Sequence, residues 1–218
     1  MKFLLSGSKV QCPCCGWGGV RFYTKKKYCP NCNSLGRTRL FALVAESNIS
    51  VESAILCVAP NVGENKILKS YSSNVDGVNI IETPNTNLKH DITQEFLGIT
   101  DRYDFVFLWH VLEHIVEDFK AIVNLKKTLK ESGKIIFSVP IYPEGREKTF
   151  EDINIKYEKF QEVHGHFDHC RSCGIDYALR FEPLFQNISM YNVEKMFEEH
   201  EVEYFGLVNS HCWWIMQD

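Results

Sequence analysis

Apolar residues fall along this chain in short runs separated by longer amphipathic stretches. Residues 54–59, 78–81, 105–108 and 134–139 are near-continuous apolar runs of strand length, the first stopped by Pro60 and the last by Pro140. Such runs are the pattern of strands covered on both faces. Helical periodicity lies between them. It predicts helices over 34–47 (Leu40, Leu43 and Val44 on one face), 65–70, 116–130 and 193–200. The third is the clearest. Phe119, Ile122, Val123 and Leu129 share a face, Glu117 and Asp118 open it, Lys126, Lys127 and Lys130 close it, and Gly133 is read as its stop. Residues 203–208 and 212–216 are read as two last strands forming an antiparallel hairpin. The alternation predicts a Rossmann-like α/β fold: a mostly parallel sheet, helices on both faces and an antiparallel last strand. Residues 140–170 are polar and loop-like, which predicts a lid insertion at about 140–176.

Cysteine spacing adds a second unit. The chain has nine cysteines among 218 residues. Cys12 and Cys15 form one CxxC pair, Cys29 and Cys32 another, each with a proline inside it. Two tight turns presenting four thiolates are the pattern of a zinc ribbon with a closed, structural Zn²⁺ site. Cys14 is an alternative to Cys15 as ligand. Residues 20–24 are read as a strand between the pairs. The expected division is a zinc-ribbon-like module over 1–39 and the α/β domain over 40–218.

Charge follows the same division. Residues 1–45 hold eight of the 24 bases and none of the 28 acids. A basic module can meet an anionic partner, or simply offset the charge of four thiolates. No apolar run approaches the roughly 20 residues that span a bilayer. The apolar start is too short for a signal h-region, so a cytoplasmic protein is expected.

Ligands of open α/β sheets bind beyond the carboxyl ends of the strands. There the sequence places Ala59, Pro60, Asn61, Val62 and Gly63 after the first strand, Glu82 after the second, and Trp109, His110, Val111, Leu112, Glu113 and His114 after the third. The segment 108–115 (LWHVLEHI) followed by 129–140 (LKESGKIIFSVP) resembles the signature of class I S-adenosylmethionine-dependent methyltransferases. A type 11-like subset with an N-terminal four-cysteine zinc knuckle is closer still. It shares Ser34-Leu35-Gly36-Arg37-Thr38-Arg39 after the second cysteine pair, Val58-Ala59-Pro60, Asp91-Ile92-Thr93, Thr149-Phe150-Glu151-Asp152, and the 165–176 pattern of Gly165, Asp168, His169, Arg171, Gly174 and Asp176. The resemblance covers nearly the whole chain. It departs in the first loop, which has a single glycine, and Asn61 where the subset has Glu.

The resemblance implies S-adenosylmethionine as cofactor. Ala59, Pro60 and Asn61 would face its methionine end, Glu82 its ribose, and Asp91 and Ile92 its adenine. Trp109, His110 and His114 would line the transfer side of the pocket. His169 and His110 are the candidate catalytic residues, with His169 a general base and Asp168, His169 and Arg171 facing substrate from the lid. The cluster His164, His166, His169, Cys170 and Cys173 is alternatively a second metal site. The implied acceptor is a small molecule or a sugar in a glycan. RNA competes, through the basic knuckle with Arg21, Phe22, Tyr23, Lys25, Lys26 and Lys27. The glycine-poor loop also leaves open a catalytically silent, methyltransferase-like binding module.

Overall fold

The structure is a computed structural model that describes residues 8–23 and 27–218. Lys25 and Lys26 of the basic cluster lie outside the described residues. The N-terminal unit pairs β1 (Val10–Gln11) with β2 (Gly18–Gly19) antiparallel. The strand expected over 20–24 does not form within the described residues. Val20 is exposed, and Tyr23 makes only an isolated bridge to Tyr28. The two cysteine turns match. Gly16 and Asn33 each follow the second cysteine of a pair with positive φ, 71° and 58°. Each donates its N–H to the carbonyl of the pair's first cysteine, at 2.8 Å and 2.9 Å. Glycine and asparagine are the residues that take this backbone region at least cost.

The remaining chain runs α1 (Gly36–Asn48), β3 (Ile55–Val58), α2 (Val62–Tyr71), β4 (Val75–Asn79), β5 (Leu88–Lys89), β6 (Tyr103–Trp109), α3 (Asp118–Lys126), β7 (Leu129–Ser138), α4 (Phe160–His164), β8 (Asn187–Asn192), α5 (Val193–Met196), α6 (Glu199–Phe205) and β9 (Cys212–Gln217). The sheet order is β5-β4-β3-β6-β7-β9-β8, with β9 antiparallel to both its neighbours and the other pairings parallel. Side chains alternate across it. Val106 and Leu108 of β6 pack toward Ala121, Ile122 and Leu125 of α3, while Phe107 and Trp109 pack toward Leu40, Phe41 and Val44 of α1. Both sets are apolar because both faces are covered.

Several boundaries differ from expectation, each for a local reason. β4 ends at Asn79, where the side-chain oxygen accepts the Ile81 N–H, so the strand stops two residues before the end of the 78–81 run and starts three residues before it. α3 ends at Lys126. Leu129 already pairs with Tyr103, and the register slips before Lys134 pairs with Phe105, so Gly133 sits in an irregularity of β7 rather than at a helix end. The expected strand over 203–208 is instead the end of α6. A capping box between Glu198 and Glu201 starts this helix and Gly206, with φ 61°, stops it. The partner of β9 is β8.

The expected boundary at 39/40 falls inside α1, and Arg39 joins the two units there. Its side chain is fully buried. It donates to the carbonyls of Ser34 (2.5 Å), Phe205 (2.6 Å) and Gly206 (2.7 Å), and its guanidinium lies 4.1 Å from the Phe22 ring centroid. A β-carbon on Gly206 would meet that ring at 2.5 Å. Arg39→Met strips the donor from three buried carbonyls, each loss costing about 1–3 kcal/mol. Urea denaturation should therefore show a destabilisation of about 3 kcal/mol or more; a change under about 1 kcal/mol would contradict the joining role.

Candidate functional site

The strand order reverses between β3 and β6, which run parallel side by side while their neighbours lie outward on either hand. That switch point is where an open sheet leaves a crevice at its carboxyl edge. Two residues there hold left-handed backbone without being glycine: Ala59 (φ 48°), directly after β3, and His110 (φ 57°), directly after β6. Each is tied in place. Ala59 donates its N–H to Val78 O at 2.7 Å, and His110 donates to Ser138 O at 2.9 Å. Such a backbone costs about 1–2 kcal/mol per residue, and strain of this kind concentrates at functional sites.

Asn61 caps α2. Its side chain accepts the Glu64 N–H, and Glu64 accepts the Asn61 N–H in return. Asn61 thus ties the loop to the first turn of α2. Glu64 is buried, and burial raises its carboxyl to about 7 against the lowering effect of Asn61 and Arg37. Glu82 lies three residues past the end of β4 and is exposed, beside exposed Ile80 and Ile81. Asn79 is the residue at the strand's end, a position the apolar run had concealed. Asp91 is exposed and accepts the Thr93 N–H and hydroxyl at 2.9 Å and 2.8 Å. Ile92 is buried in the core on the α3 side, and its carbonyl accepts from Asn124.

Trp109 is not at a pocket mouth. It is 4% exposed, its ring packs edge-on to Phe41 at 5.2 Å, and its indole N–H donates to Arg37 O at 3.1 Å. Arg171 does not face a substrate either. It is buried and donates to Leu112 O, Ile115 O (2.7 Å), Val116 O (3.1 Å) and the Glu151 carboxylate. The expected general base also changes character. Burial lowers the His169 imidazole to about 4, with Glu113 pulling the other way and His114 and His166 adding to the drop. A base that weak is a poor acceptor of a hydroxyl proton near neutral pH.

His114 and His169 do come together, with ring centroids 4.8 Å apart. The proposed set His164, His166, His169, Cys170 and Cys173 does not. His164 is buried against the Ser172 hydroxyl (2.8 Å), Cys173 is in the core, and the Cys170 thiol points to Glu113 O (3.2 Å). Glu113 was visible in the LWHVLEHI segment, yet its role depends on burial, which no local spacing reveals. A cavity of about 460 Å³ lined by Gly36, Val202, Gly206 and Leu207 lies between the start of α1 and α6.

The cysteine pairs converge. Cys12, Cys15, Cys29 and Cys32 have their sulfurs within 4.8 Å of one another, and the Cys12–Cys32 and Cys15–Cys29 separations are both 3.7 Å. Cys14 is not among these four: its thiol neighbours Cys12 and donates to Thr38 O at 3.5 Å. Thiolates on a tetrahedral Zn²⁺ with bonds of about 2.3 Å stand about 3.8 Å apart, so the four sulfurs fit that ion.

No family model and no curated protein sequence matches the chain. Solved structures do match. An S-adenosylmethionine-dependent methyltransferase from Archaeoglobus fulgidus is 15% identical, with 84% of this chain and 94% of that chain covered at a TM-score of 0.55. The Burkholderia thailandensis 1,6-didemethyltoxoflavin N1-methyltransferase, solved with S-adenosylhomocysteine, is 12% identical over 84% of this chain and 78% of that one, TM-score 0.55. The [4+2]-cyclase SpnF is 11% identical over 83% and 81%, TM-score 0.56. The chain has the methyltransferase-type Rossmann-like α/β fold found in these structures, with a mostly parallel central sheet. Among the described residues no helix is long and apolar enough to cross a membrane.

The raised Glu64 carboxyl has a measurable consequence. Its folded pKa, about 7, lies above the ordinary value of 4.5. Its contribution to stability is therefore fully present below about pH 4.5 and is lost as pH rises through about 7. Glu64→Gln keeps the capping geometry without the charge. Denaturation across that range should show the variant gaining on the wild type as pH rises; a pH-independent difference would contradict the burial of an ionising Glu64.

Proposed function

We propose that this protein is an S-adenosylmethionine-dependent methyltransferase acting on a small-molecule or sugar acceptor. The observation that carries the reading is the pair of strained residues, Ala59 and His110, on adjacent strand ends at the switch point of the sheet. A backbone held this way on both sides of one crevice is best accounted for by a ligand that the crevice must approach closely. The turn at Ala59, Pro60 and Asn61 would hold the methionine end of the cofactor. Glu82 would bind its ribose, with exposed Ile80 and Ile81 offering apolar surface to the adenine and the Asp91-Ile92 turn bordering it. The bound cofactor supplies an electrophilic methyl on sulfur. The protein's part is then largely to place acceptor and methyl in line, for which orientation supplies most of the acceleration. His110 and His114 would line the transfer side.

The four-cysteine cluster is read as a structural Zn²⁺ site, since four thiolates leave no open position. It would hold the N-terminal unit, whose own buried apolar set is small. The acidic balance of the larger domain weighs against an extended RNA acceptor. SpnF shows that a similar fold also serves a cyclase, so the activity needs its own test.

Calorimetric titration of the zinc-replete chain with S-adenosylhomocysteine should give saturable single-site binding. Glu82→Ala should weaken it about tenfold or more, the expected loss of hydrogen bonds from a charged group. No binding in a folded chain would overturn the reading; unchanged binding in the variant would remove Glu82 from the site. Withdrawing zinc with a chelator should lower the melting temperature, and an unchanged melting curve after verified zinc loss would contradict the structural role.

A further inference from the structure

The Glu113 side chain is 1% exposed, and among the described residues neither of its carboxylate oxygens has a hydrogen-bond partner. A buried carboxylate without a partner is costly by several kcal/mol, and proteins avoid it unless something else compensates the charge. The surroundings of this one are specific. His110 Nδ1 lies 3.5 Å from Glu113 Oε1, His114 Nε2 lies 3.7 Å from it, and His169 Nε2 lies 4.0 Å from it. One ligand atom each from Glu113, His114 and His169 lies within 4.8 Å of the others. These separations are too long for hydrogen bonds. They approach the spacing of ligands around one ion: nitrogen and oxygen ligands at about 2.0–2.1 Å in a tetrahedron stand about 3.3–3.4 Å apart.

The support behind these side chains has the form of a metal site as well. His114 turns its other nitrogen, Nδ1, to Asp168, 3.2 Å from both the backbone carbonyl and the carboxylate. A carboxylate on the far nitrogen is how ligating histidines are commonly oriented. The backbone is pinned. Cys170 donates its N–H to Glu113 O at 2.9 Å, and Arg171 grips the carbonyls of Leu112 and Ile115 on either side. The segment bearing His169 is thereby fixed against the turn bearing Glu113 and His114. His166 and Asp168 also approach His169, but both are substantially exposed and are already paired with each other.

We propose that Glu113, His114 and His169 form a second metal site, distinct from the four-cysteine cluster, which takes a divalent first-row transition ion such as Zn²⁺. Two imidazoles and a carboxylate are a nitrogen–oxygen set suited to such ions, and three protein ligands leave a coordination position for water or an oxygen of a bound molecule. His110 approaches the same carboxylate oxygen from the end of β6. The site explains why the carboxylate is buried without a hydrogen bond and why three histidine nitrogens converge on it.

Cobalt separates the two sites. The full zinc-loaded chain is titrated with Co²⁺, following visible absorption and total bound metal. A second ion should bind saturably, with ligand-field bands but without the thiolate-to-cobalt charge-transfer band of a cysteine site. Glu113→Gln and His169→Gln should abolish it, and Asp168→Asn should weaken it about 10- to 100-fold. Circular dichroism checks folding. Glu113→Gln keeps the size and shape of the side chain, and if it nevertheless fails to fold, the Asp168→Asn affinity decides. No saturable binding beyond the four-cysteine ion, or affinity unchanged in the folded variants, would overturn the proposal. Cofactor binding is read separately by S-adenosylhomocysteine titration, so either idea can fail without the other.

Discussion

Between Ser138 and Asn187 the chain leaves the sheet for almost fifty residues, and its return is held by one buried guanidinium. Arg171 donates to three backbone carbonyls just beyond β6 and to the Glu151 carboxylate, and it stands 3.5 Å from Asp118. Arg180 doubles the attachment, bonding Glu151 at 2.5 Å and approaching Asp118 at 3.1 Å, while the Tyr177 hydroxyl donates to Asp118 at 2.6 Å. Burial alone would raise the Glu151 carboxyl, but the hydrogen bonds from Arg180 and Arg171 outweigh it and hold the group at about 2. Each charge in this buried knot is paired, which is the condition under which buried charges are tolerated. The convergence of His114, His169 and Glu113 depends on it.

A second guanidinium does the comparable task at the other end. Arg39 collects carbonyls from the knuckle side (Ser34) and from the end of α6 (Phe205 and Gly206), and it lies over Phe22. The two arginines have the same chemistry: a planar fork of donors gathering several backbone carbonyls at turns and helix ends. Both lie in motifs that the sequence displays, Ser-Leu-x-Arg-x-Arg and the 165–176 pattern. What the sequence does not display is that their partners are backbone carbonyls 166 and 59 positions away.

The central strands were legible because burial on both faces writes itself as uninterrupted apolar residues, as in 105–108. The convergence of the two cysteine pairs was legible because CxxC spacing is the spacing that four-thiolate ligation of a metal would require. β8 was not, because Asn-Ile-Ser-Met-Tyr-Asn is a polar-flanked edge strand with no such run. The segment 203–208 misled through its aromatic and branched residues, although Glu198, Glu201 and Gly206 mark a helix start and stop. Within the site, the strand-end loops were legible from the α/β rule. Trp109 was misplaced because a residue at a strand end can point into a helix-covered face, and Glu113 went unassigned because its isolation from hydrogen-bond partners exists only in the folded chain.

The central claim is that the crevice beyond β3, β4 and β6 holds the adenosyl cofactor. Amide hydrogen exchange with and without S-adenosylhomocysteine tests it most directly, because protection reports where a ligand sits. The account predicts slowed exchange in residues 59–64, 80–92 and 109–114, with the four-cysteine unit unaffected. Unchanged exchange in those three segments at saturating ligand, or protection confined to other parts of the chain, would contradict it.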